Sequence, residues 1–321
     1  MTSDSFPTTH PKRMEEDVYL EVGNYRLAGT LLLPSEPDPH PAIALLHGAG
    51  PGTRHDYVAP IAEAYRQAGL AVLSWDRPGC GNSTGNWQRQ TLDERAQEAL
   101  AGVWFLQQRT DIDPQKVGLW GQSQGGNVAS IAASLLRDIA FIVATSPAGI
   151  PLAEIQVTGL ERQMHADGVA PEQILEAMRC AQAIQEASRR GDSYAELDDN
   201  VLRQVRTWPW WHYFASLPDR ETWDYWHTRG GIPDLDFNPV SAWERVHCPV
   251  LLIWGERDTV LPIPEVVERT EAALARANNP DFMARVFPGA KHGIELADTG
   301  ELAPGYLELI LSWTRERVGL T

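Results

Sequence analysis

Apolar and polar positions alternate in two distinct ways along this chain, and the change from one to the other sets the predicted elements. Val18 to Val22 and Tyr25 to Leu33 are strand-like runs separated by Gly23-Asn24, a two-residue turn of the type that joins hairpins. They predict an antiparallel edge. After a proline-rich loop, Pro34 to Pro41, the run Ala42-Ile43-Ala44-Leu45-Leu46 is continuously apolar and short, as a buried parallel strand is, and it ends in His47-Gly48-Ala49-Gly50-Pro51-Gly52. Tyr57 to Gln67 then has helical spacing and stops at Gly69, Leu70 to Trp75 is strand-like, and Asp76 to Ser83 is a glycine-rich turn. Leu92, Ala96, Leu100, Val103 and Leu106 recur at three- and four-residue intervals and predict a long helix. Asp111 to Pro114 is expected to turn the chain into a strand at Val117, and Ile139 to Ala144 is a further buried strand.

The alternation stops at Pro147 and resumes near Pro239. Within that interval helices are predicted near Leu152 to Asp167, Pro171 to Arg190 and Ser193 to Val205. A strand at Pro249 to Gly255, a helix from about Pro264 to Ala277, a strand at Phe282 to Phe287 and a closing helix from Tyr306 to Arg317 follow. Strand-helix alternation at these lengths implies an α/β fold, a mostly parallel twisted sheet with helices on both faces. The expected organisation is a core from residues 1–146, an inserted helical cap at 147–238, and the rest of the core at 239–321. The cap holds Trp208, Trp210, Trp211, Trp223 and Trp226. So many large rings in one short stretch serve either to line an apolar substrate pocket, with Trp210 and Trp211 as the substrate-binding candidates, or to fix the cap to the body.

Composition narrows the function. Across 321 residues, 43 acidic against 27 basic side chains give a net charge of −16, which leaves no electrostatic footprint for nucleic acid or an anionic membrane surface. Cys80, Cys180 and Cys248 are far apart with no C-x-x-C spacing, which argues against a disulfide framework and a zinc site and fits a reducing compartment. Residues 1–16 contain no apolar stretch of signal-peptide type, and no run approaches the length of a membrane span, so the expected location is cytoplasmic. No ligand spacing for a metal or cofactor is visible, and none is expected. Nothing sets the oligomeric state, and a homodimer stays open.

Chemistry concentrates at Val117 to Val128, where an apolar run, the pattern G-Q-S-Q-G and a small-residue helix follow one another. That is the strand-turn-helix setting of a nucleophile elbow, with Ser123 at its tip. A serine hydroxyl needs a base to take its proton and a carboxylate to orient that base. In a parallel sheet these belong at the carboxyl ends of later strands, which selects Asp258 after Trp254-Gly255 and His292 after Phe287. Their order, serine, acid, histidine, is the order the elbow predicts. Glu256 competes for the acid role, but Asp258 leaves a longer loop to reach the histidine. His47 competes for the base, but its position in the glycine loop suits a structural role. The oxyanion donors are expected to be the backbone N–H groups of Gln124 and Ala49, with Gly48 or Gly50 as substitutes for Ala49.

These motifs together resemble the α/β-hydrolase superfamily, in particular its carboxylesterase, dienelactone-hydrolase and prolyl-oligopeptidase-like serine hydrolases. The resemblance is carried by L-A-G-T-L-L-L-P ending at Pro34, H-G-A-G-P-G from His47, D-R-P-G-C-G-N-S from Asp76, G-Q-S-Q-G, W-G-E-R-D and G-A-K-H-G-I. It implies the same Ser123, Asp258, His292 triad and a small-molecule acyl substrate cleaved through an acyl-enzyme. Pro78 departs from the glycine frequent in this loop type, and the cap matches no pattern residue by residue. Acyl transfer, carbon–carbon bond hydrolysis, peptide hydrolysis and ligand binding without turnover all occur on this fold, so the fold does not choose among them.

Overall fold

The computed structural model describes residues 14–215 and 217–320. Eight strands form one sheet among these residues, in the order β1-β2-β4-β3-β5-β6-β7-β8. The strands are β1 (Glu15–Val22), β2 (Tyr25–Leu32), β3 (His40–Leu46), β4 (Ala71–Trp75), β5 (Ile112–Gln122), β6 (Ile142–Thr145), β7 (Val250–Gly255) and β8 (Phe282–Phe287). β1 and β2 pair antiparallel around Gly23, whose φ of +58° is the conformation the two-residue turn requires. β2 runs antiparallel to β4, and all pairs from β4 to β8 are parallel.

The continuous apolar strands have both faces covered. Ala42, Ala44 and Leu46 of β3 face one apolar cluster while Ile43 and Leu45 face another. The first cluster is completed by α2 (Leu92–Gln107), α3 (Gln124–Leu135) and α10 (Ile263–Arg276), the second by α1 (Val58–Gln67) and α11 (Tyr306–Val318). One expectation shifts: Asp111 to Pro114 does not all lie outside the strand. β5 already begins at Ile112, which pairs with His40 before the register slips by a bulge between His40 and Ala42.

Between β6 and β7 the chain forms α4 (Leu152–Ala166), α5 (Pro171–Arg190), α6 (Tyr194–Leu197), a single wide helical turn, α7 (Arg203–Val205), a short 3₁₀ helix at Pro209–Phe214, α8 (Arg220–His227) and α9 (Val240–Trp243). α5 starts with Pro171 at its first position and ends at Gly191 with φ +71°, the signals by which a sequence marks a helix start and stop. This segment has an apolar cluster of its own, built on Met164, Ile174, Leu197, Leu202, Trp210 and Trp223.

Candidate active site

Ser123 follows the last residue of β5 and caps the start of α3 with φ +53° and ψ −120°. A non-glycine residue held there carries about 1–3 kcal/mol of backbone strain, so its surroundings must fix it. They do: the Ser123 N–H donates to the Thr145 carbonyl at 2.7 Å, and a Cβ on either flanking glycine would collide with backbone. At Gly121 it would lie 2.3 Å from the Gly125 carbonyl oxygen, and at Gly125 2.4 Å from that of Leu46. Both glycines are therefore steric requirements of a turn that pushes the serine hydroxyl outward.

His292, in the loop after β8, places Nε2 2.9 Å from Ser123 Oγ and Nδ1 2.6 Å from Asp258 Oδ2. Asp258 lies just beyond β7, and its side chain is fully shielded from solvent. Its other oxygen, Oδ1, accepts the N–H groups of Val260 at 2.7 Å and Leu261 at 3.0 Å. With Oδ1 occupied, Oδ2 is left to accept Nδ1–H, and that tautomer turns the Nε2 lone pair toward the serine hydroxyl. Glu256 is not brought to this group. Its Oε2 accepts the Gly289 N–H at 2.9 Å and braces the turn between β8 and the histidine loop.

Ser146 steadies His292 from behind. Its hydroxyl donates to the His292 carbonyl at 2.6 Å, while its own backbone sits at φ +51°. Nothing local in T-S-P-A marks it, because the contact spans 146 positions.

The glycine loop beside the serine is held by two buried arginines, also unforeseen. Arg95 donates to the Gln124 side-chain oxygen and to the His47 and Gly48 carbonyls, and Arg77 donates to the Gly50 and Gly48 carbonyls. Burial, then repulsion from Arg77, lowers the Arg95 pKa to about 9. A signal did exist for Arg95: it and Glu98 interrupt the apolar face of α2, where a charge has to find partners. The Gly48 N–H is already engaged, donating to Tyr57 Oη at 2.6 Å.

His47 donates Nε2–H to the Trp75 carbonyl at 2.9 Å and ties the end of β3 to the end of β4. Burial drives its pKa down to about 4, so it stays neutral where an ordinary histidine titrates. The unfolded chain therefore takes up this proton first. Its contribution is intact above the ordinary pKa of about 6.5 and is lost as pH falls toward 4, to a total of about 3 kcal/mol. Urea unfolding between pH 7 and 4 is expected to show a shallower acid loss for His47→Asn than for wild type.

A chamber of ≈ 700 Å³ opens over Ser123 and His292, walled also by Ala49, Tyr57, Val260 and Leu302. A smaller cavity of ≈ 170 Å³ adjoins it through Ala49 and is walled by Gln124, Arg77, Arg95 and Trp226. Of the two roles open to Trp210 and Trp211, their places fit holding the inserted helices together, since neither stands in these walls. Trp210 is 2 % exposed in the core of the inserted helices, and Trp211 stacks on Phe214 with ring centres 5.3 Å apart. Their area holds these helices together, so Trp210→Ala is expected to cost about 3–5 kcal/mol in denaturant unfolding.

Residues 43–304 match the model of the alpha/beta hydrolase family. The chain belongs to this family. Among curated relatives of this hydrolase, an uncharacterized 31.7 kDa protein from the traX-finO intergenic region of Escherichia coli is 24% identical over 238 residues, 74% of this chain and 79% of that protein. The thiohydrolase aneE of Aspergillus aculeatus is 31% identical over 149 residues, 46% of this chain and 44% of that protein. Among solved structures, an esterase of Pyrococcus furiosus superposes with a TM-score of 0.58 at 21% identity, covering 95% of this chain and 90% of that one, a likeness of fold. Among the described residues no helix is long and apolar enough to cross a membrane.

Proposed function

We propose that this α/β hydrolase is a serine hydrolase that cleaves an ester or related acyl bond of a small molecule. The observation that carries the reading is His292 bridging the Ser123 hydroxyl and the Asp258 carboxylate at 2.9 and 2.6 Å. Ser123 Oγ attacks the substrate carbonyl as His292 Nε2 takes its proton, and Asp258 holds the Nδ1–H and stabilises the imidazolium. The carbonyl oxygen becomes an oxyanion that accepts the N–H groups of Gln124, at the positive end of α3, and Ala49. Collapse breaks the bond to the leaving group, which takes the proton from His292. Water then repeats the sequence in reverse on the acyl-Ser123 ester and regenerates the enzyme.

In this reading the helices between β6 and β7 are a cap over the chamber, and Arg77 and Arg95 are positioning residues for the oxyanion loop. The thiohydrolase relative makes thioesters the first variant of the acyl bond to try. Rapid mixing with p-nitrophenyl acetate tests the proposal. A burst of about one p-nitrophenol per enzyme ahead of the steady rate is the expected sign of acyl-enzyme formation. A folded protein that releases no p-nitrophenol above background would reject it. Added hydroxylamine or an alcohol, with products analysed for transfer, separates hydrolysis from acyl transfer.

A further inference from the structure

The inserted helices line a third cavity of ≈ 360 Å³, partly open to solvent, between α4, α5, the 3₁₀ helix and the loop after Asp258. Its size is within the ~300–1,000 Å³ range of small-molecule sites. Leu160, Ala181, Ile184, Phe214, Leu235 and Val260 are among its walls, and no wall residue carries a charge. The polar side chains that reach it are already engaged with protein. Gln185 donates to the Ala153 carbonyl at 2.8 Å, Tyr213 donates to Asp167 at 2.7 Å, and Thr259 donates to Gln163 at 3.1 Å. A guest in this space meets apolar surface and spent hydrogen-bonding groups, so it gains from burying hydrocarbon and loses from burying a charge.

Val260 joins this cavity to the Ser123 chamber, and Pro218 and Ile232 join it to the smaller cavity beside Gln124. The Val260 N–H also holds the catalytic carboxylate. The loop is fixed to the cap as well: Arg162 of α4 donates to the Thr259 and Val260 carbonyls. α4 leaves room at this contact because residue 159 is glycine. A Cβ there would stand 3.1 Å from the Val260 carbonyl oxygen.

We infer that this cavity is the site for an unbranched apolar chain of the substrate, which passes Val260 while its ester carbonyl sits at Ser123. At about 30 Å³ per methylene, taken as that of a water, the space suits an alkyl chain of on the order of ten carbons. The substrate class is thus a medium-chain alkanoate ester, or the acetate of a medium-chain alcohol. The inference rests on the serine-hydrolase reading, so its test includes a measurement that needs no turnover.

Two series separate the two chain positions: p-nitrophenyl alkanoates from acetate to tetradecanoate, and alkyl acetates of matching length. In one of them kcat/KM is expected to rise by up to about fourfold per methylene until the cavity is full. Leu160→Trp, which fills the cavity, is expected to lower the ratio of ten-carbon to two-carbon kcat/KM at least about tenfold. Ala181→Leu, from the facing helix, serves the same purpose should the tryptophan variant fail to fold. In parallel, calorimetry of decan-1-ol with Ser123→Ala is expected to show binding with a negative heat-capacity change, weakened at least about tenfold when Leu160→Trp is added. Flat profiles in both series, or decanol binding indifferent to both cavity-filling variants, would overturn the inference. Decanol binding with the expected variant effect, but no turnover by wild type, would uphold the cavity assignment and reject the hydrolase reading instead.

Discussion

Ser123→Ala is expected to reduce kcat for ester hydrolysis by about 10⁶-fold, the scale seen when a serine nucleophile is removed from a complete triad. The fold should survive, because the hydroxyl's side-chain bond is to His292 and the backbone N–H to Thr145 is untouched. Strain supplies a second readout. Alanine keeps the cost of φ +53°, whereas Ser123→Gly removes it and, after the larger unfolded-state entropy of glycine, should raise stability by up to about 2 kcal/mol. Two inactive variants, of which only the glycine is stabilised, would tie the strained elbow to function. A Ser123→Ala enzyme within tenfold of wild type would place the nucleophile elsewhere.

Asp258→Asn is expected to lower kcat by about 10⁴-fold, because an amide in place of Oδ2 no longer holds His292 in the tautomer that presents a lone pair to Ser123. Folding should be little changed, since the side-chain oxygen can still accept the Val260 and Leu261 N–H groups. Glu256→Gln is the matched control. That carboxylate caps the Gly289 N–H on the exposed side of the turn, and the glutamine oxygen can still accept it, so kcat should change by less than about threefold and stability by less than about 1 kcal/mol. Equal losses in the two variants would contradict the assignment of the acid.

The residues that were legible in the sequence are those whose role follows from position along a strand. Ser123, Asp258 and His292 stand just past β5, β7 and β8, and parallel strands carry their trailing loops to one edge whatever the side-chain packing. His47 could be assigned to structure because its neighbours are glycines. Ser146 and Arg77 were not legible, and the break in the apolar face of α2 marked Arg95 as needing a partner without saying which, since each acts on a carbonyl or side chain brought near only by folding, 146 positions away for Ser146 and 48 for the Arg95 bond to His47. The tryptophans mark a different limit. A dense aromatic stretch announces burial without saying on which side, so Trp210 turned inward while Phe214 and Trp226 of the same stretch reached cavity walls. The start of β5 at Ile112 was hidden by Asp113-Pro114, which reads locally as a turn and is tolerated because a bulge separates the His40 pair from the rest of the ladder.

The most direct measurement is to treat wild type and Ser123→Ala with a fluorophosphonate probe and map the modified residue by peptide mass spectrometry. Stoichiometric modification of wild type at Ser123, and none of the variant, is the expected result. A folded wild type that stays unmodified, or carries the probe on any other residue, would contradict Ser123 as the nucleophile.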